Sequence, residues 1–126
     1  MSYTTISNAG NGYDALLKAL SFYKDELFVA TRRLEEVAGK NTQPALGTSI
    51  EHFQNQFVLQ RTNIDTLSHN IKEFAHFLAS DAQQHIGYVD SRFGDLRKKL
   101  EDEYFTLEKI INELRLECYV FAAQWM

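Results

Sequence analysis

The chain has one cysteine, Cys118, so it forms no disulfide within itself and builds no multi-cysteine zinc site. It has one proline, Pro44, so little in the sequence breaks a helix from within. None of its six glycines belongs to a Gly-x-Gly-x-x-Gly or Walker-type loop, which removes the common phosphate cradles. There is no Gly-x-Ser-x-Gly elbow, and Cys118 has no histidine near it in sequence, so nucleophilic catalysis has no recognisable machinery. Positive charge is also in short supply. Thirteen Lys and Arg stand against seventeen Asp and Glu, a net charge of −4. A general binder of nucleic-acid backbone would carry a basic face. Arg32-Arg33 and Arg97-Lys98-Lys99 each stand beside acids and read as solvated faces. No apolar run approaches the roughly 20 residues of a membrane span. Met1 to Gly12 is polar and lacks the apolar segment of a signal peptide, so the cytoplasm is the expected compartment.

Aromatic residues, by contrast, are abundant: nine Phe, six Tyr and one Trp. The stretch from Ser91 to Met126 orders them most clearly. Phe93, Leu96, Leu100, Tyr104, Leu107, Ile111, Leu114, Cys118, Phe121 and Trp125 recur at steps of three and four, one stripe of an α-helix. The four-four steps through Leu100 and Tyr104 read as a stutter. The opposite face is charged, with i, i+4 pairs Arg97–Glu101, Lys98–Asp102 and Lys99–Glu103. About 35 residues of helix rise roughly 50 Å. Such a stripe is stable only against partner helices.

Two further helices are predicted. The first runs from about Tyr13 to Ala38, capped by Asn11 and closed by Gly39, with the seam Tyr13, Leu16, Leu20, Tyr23, Leu27, Ala30, Leu34, Val37. Residues 1–12 read as a flexible tail, leaving 13–126 as one domain. Gly39 to Gly47 reads as a loop around Pro44. The second helix follows a capping box at Thr48-Ser49-Ile50-Glu51. Its seam is Ile50, Phe53, Phe57, Gln60, Ile64, Leu67, Ile71, Phe74, Leu78. Gln60 is the one polar member. It either fixes register inside the core or reaches out to water. The segment from Ser80 to Asp90 is open to two readings. Ser80-Asp81-Ala82-Gln83 resembles another capping box, and Gly87 favours a bend. The third helix either starts near Asp81 or is preceded by a short one.

These elements predict an all-α fold, an up-down-up antiparallel three-helix bundle with long coiled-coil-like helices, the third the longest and open to a break near Gly87. A continuous third helix of about 45 residues would reach roughly 67 Å and overhang its partners. Pairing two copies would cover the apolar flanks, with a symmetric dimer the usual outcome.

The expected function is a non-enzymatic interaction protein that self-associates or packs a partner protein helix. Its candidate contact residues are Phe121, Trp125 and Met126, where the last turns are apolar nearly all round, with Phe28 and Phe77 off their seams. The alternative is a metal- or ligand-binding bundle through Glu73-x-x-His76. Di-iron bundles need two such pairs facing inward, and here there is one, off the seam through Ile71 and Phe74. Cys118 falls on the apolar stripe and reads as a buried small hydrophobe. No cofactor is expected.

Overall fold

A computed structural model describes residues 9–84 and 91–125, with side-chain surroundings given for 12–80 and 94–125. The described residues form three helices: α1 (Ala9–Lys40), α2 (Pro44–Gln84) and α3 (Ser91–Trp125). Each packs against both others.

Cross-helix contacts fix the directions. Tyr13 meets Phe74 edge-on at 5.5 Å, Lys24 pairs with Asp65, and Arg61 covers Phe28. Positions rise along α1 as they fall along α2, so the two are antiparallel. Between α1 and α3 the separation in sequence stays nearly constant, at 85 for Tyr23 with Glu108, 89 for Glu26 with Arg115 and 84 for Asn41 with Trp125. Constant separation means parallel helices. The fold is thus the expected up-down-up three-helix bundle.

The core is the meeting of the three seams. Leu20, Leu27, Leu34 and Val37 of α1 face Phe57, Ile64 and Ile71 of α2 and Ile111 and Cys118 of α3, all fully or nearly fully buried. Periodicity of 3.5 residues is what lets straight apolar seams meet over such length. Gln60 stays within the seam at 5% exposure. Its Oε1 accepts from Asn63 Nδ2 at 3.2 Å, so the seam is continuous at this point and does not turn Gln60 out to water.

The boundaries differ from the sequence reading, each for a local reason. α1 begins at Ala9, so Asn11 lies inside the helix instead of capping it, and it continues through Gly39 to Lys40. Asn41 then terminates it: its side-chain amide donates to the Val37 carbonyl at 2.9 Å, satisfying a group that a helix end leaves open. The connection is only residues 41–43, because Pro44 starts α2 and does not interrupt it. Proline lacks the N–H that a first-turn residue would waste, and its fixed φ suits that position. The Gln43 carbonyl accepts from the amides of Leu46 and Gly47, closing the first turn. Thr48 is therefore inside α2, and the Ser80 capping box marks no new start, since α2 continues to Gln84. Among the described residues α2 is the longest helix, 41 residues against 35 for α3, where the third had been expected to be longest. Gly87 and residues 1–8 lie outside the described residues.

Two seam positions of α3 also move. Leu96 is 42% exposed, and Arg97 holds the place the stripe was expected to give it, with its side chain 17% exposed. Counting back from Tyr104 by seven lands on Arg97, so there is no stutter at Leu100 and Tyr104; the four-four step falls instead at the buried Leu114, Cys118 and Ala122, with Phe121 only partly buried. Four residues on, Glu101 is 3.9 Å from the Arg97 guanidinium Nε. Burial, reinforced by the negative charge of Glu101 and partly offset by Arg97, pushes the Tyr13 phenol up to about 12.

Candidate functional site

The three interhelix flanks differ in character. The α1–α3 flank is polar and closed. Tyr23 and Tyr104 both donate their hydroxyls to one oxygen of Glu108, at 2.8 and 3.0 Å. Arg115 donates to Glu26 at 2.7 Å, both side chains being largely covered. Asn41 donates to the Trp125 carbonyl at 3.3 Å. Burial first, then the bond to Glu108, raises the pKa of both tyrosines. α1 and α3 have no connecting turn, and this row of hydrogen bonds sets their parallel register. The α1–α2 flank carries the Lys24–Asp65 pair and the Arg61 guanidinium stacked over Phe28 at 4.6 Å.

The α2–α3 flank is open. A groove of about 650 Å³ runs between the middle of α2 and the first half of α3. Its floor includes Leu67 and Leu107, which are buried, and Ile110, which is exposed. Its walls are Asn63 and Asn70 from α2 and Lys99, Asp102 and Glu103 from α3. Residues seven apart share a helix face. By that rule Leu59 extends the stripe of Thr66, Phe77 that of Asn70 and Leu96 that of Glu103. All three are exposed, at 49%, 60% and 42%. Along these helix faces the groove is therefore continued in both directions by large exposed apolar side chains that no other described element covers.

Sequence reasoning missed this groove because it treated the charged side of α3 as a solvated face of i, i+4 pairs. The structure forms one of the three, Arg97–Glu101. Lys98 with Asp102 and Lys99 with Glu103 do not close to ion-pair distance, and all four side chains line the groove. The missed signal is the arrangement of Leu59, Phe77, Leu96 and Ile110 at seam-flanking positions of two neighbouring helices.

The residues proposed from sequence do not form one patch. Phe121 lies 5.3 Å from the Phe53 ring, and both Phe121 and Trp125 pack against the core, presenting only part of their surface. Phe77 is 24 residues beyond Phe53 on α2, about 36 Å along the axis, at the other end of the bundle. Phe28 is midway along α1 beneath Arg61. Met126 lies outside the described residues. Cys118 is a buried free thiol, and its burial pushes the thiol up to about 11, the opposite of an activated nucleophile.

Glu73 and His76 are both exposed, and Glu73 instead has His69 at 3.4 Å. Among the described residues no three His, Cys, Asp or Glu side chains gather as a metal site would require. Among the same residues no helix is long and apolar enough to cross a membrane. Comparison with protein-family models, with curated proteins and with solved structures finds no match.

Proposed function

We propose that this chain is a non-enzymatic interaction protein, a helical bundle that acts by self-association or by packing a partner protein helix as an adaptor, scaffold or chaperone. The observation that carries this reading is the α2–α3 groove, with exposed Ile110 in its floor and exposed Leu59, Phe77 and Leu96 as its extensions. An apolar-floored groove flanked by large exposed apolar side chains is the kind of surface that marks a contact site. A helix laid along the groove would complete a four-helix arrangement, the commonest way to cover two neighbouring helix flanks. Phe77 belongs to this surface. Phe28 offers a separate contact on the α1–α2 flank, and Phe121 and Trp125 one at the far end of the bundle. The cytoplasm suits a chain whose only cysteine is a reduced, buried thiol. Nothing in the placement of Glu73 and His76 favours the metal reading over this one.

The test is photocrosslinking in the cell of origin, with a photoreactive phenylalanine analogue at position 59 or 77. The expected result is one or a few discrete adducts, formed by self or by another protein. Unreacted chain at both positions, with adducts absent also from position 28, would refute an interaction role.

A further inference from the structure

We infer that the occupant of the α2–α3 groove is a second copy of this chain, held by an antiparallel two-fold pairing of the α3 segments between Asp95 and Thr106. This deepens the interaction reading given above and rests on it. The argument is charge pattern. Along the groove-lining part of α3 the charges run Lys98, Lys99, then Asp102, Glu103, all lining the groove and none in an ion pair among the described residues. A two-fold axis crossing the helix between Leu100 and Glu101 sets Lys98 opposite the partner's Glu103 and Lys99 opposite the partner's Asp102. The same axis repeats both contacts in reverse, because a two-fold interface pairs each residue with its counterpart twice. Asp95 then falls opposite the partner's Thr106, so no like charges meet. The helix is its own electrostatic complement in this one orientation. A parallel pairing would put lysines on lysines and acids on acids, a repulsive arrangement.

The experiment uses the full chain and two charge-reversed variants, Lys98→Glu with Lys99→Glu and Asp102→Lys with Glu103→Lys. Mass is measured by size exclusion with light scattering over a range of concentrations, and folding is checked by circular dichroism. The expected result for the parent chain is a mass near twice 14.6 kDa. Each variant alone should be a monomer, its dimer weakened more than about a hundredfold, since symmetry doubles each repulsive contact. An equimolar mixture of the two should regain the dimer, because every reversed charge then meets its opposite. If a double variant loses helicity, the single changes Lys99→Glu and Asp102→Lys take its place in the same mixing test. A parent dimer that survives in both variants, or a mixture that stays monomeric, overturns this pairing and leaves the interaction reading in place. A parent chain that is monomeric throughout also overturns it, and an adduct to a different protein at position 59 or 77 would then still support the broader function. The absence of any adduct would instead remove the broader function.

Discussion

Glu108 offers a sharp test of what holds α1 to α3. Its carboxylate accepts from the hydroxyls of Tyr23 and Tyr104, one on each helix. Glu108→Ala removes both bonds at once, leaving the Tyr104 hydroxyl without its partner and the Tyr23 hydroxyl with Asn112. A hydrogen bond to a charged group contributes about 1.5–3 kcal/mol. Glu108 and Tyr23 are only partly buried, so water compensates for some of the loss. Tyr104 is buried and has less access to water. The net cost should be about 2–3 kcal/mol, a large share of a small domain's stability. Replacing the whole set, Glu108→Leu with Tyr23→Phe and Tyr104→Phe, should cost less than Glu108→Ala alone, because no buried polar group is then orphaned. The assay is urea unfolding followed by circular dichroism at one protein concentration, with the slope compared between variants so that stability and denatured-state effects are separated. A Glu108→Ala loss below about 0.5 kcal/mol, or a triple variant less stable than the single one, would refute the role given to this carboxylate.

Three further outcomes follow from the core. The folded pKa values of Tyr13, at about 12, and of Tyr104 lie above the ordinary tyrosine value, so folding favours their protonated forms. The stability they contribute is whole below the unfolded tyrosine pKa and is lost as pH rises from about 10 to 12. Alkaline titration of ellipticity should show that loss, and Tyr13→Phe should reduce it. Tyr13→Phe should also leave stability at neutral pH unchanged or raise it by up to about 1 kcal/mol, because the buried hydroxyl has no hydrogen-bond partner among the described residues; a loss above that size in urea unfolding would refute this. Gln60→Leu should raise the urea midpoint, since it trades a buried amide with one bond, to the exposed Asn63, for apolar packing. Cys118 should react with a thiol reagent only at the rate of unfolding, because its side chain is inaccessible and its pKa is raised. Rapid labelling of the native protein would contradict that.

The helices and their inward faces were readable from spacing alone. Tyr13, Leu20, Leu27 and Val37, or Phe53, Phe57, Ile64 and Ile71, recur at three and four residues, and a helix has no other way to gather them on one side. That the chain forms three helices packed up, down and up follows from those seams and from the short connection at Pro44. Spacing gave less at the ends. Whether Pro44 closes a loop or opens a helix depends on where the Gln43 carbonyl points, and Asn41 ends α1 only because its amide reaches both Val37 and Trp125. The charged side of α3 is the clearest case of something pattern could not decide. In sequence, Lys98 with Asp102 and Lys99 with Glu103 are ordinary helix-surface pairs. In the fold the same residues wall a groove, because α2 runs antiparallel beside them and leaves Leu67 and Leu107 as a floor between. Periodicity determines which face of one helix turns inward. Which outer faces become neighbours is set by how three helices are placed around a common core, and that is a property of the tertiary structure alone.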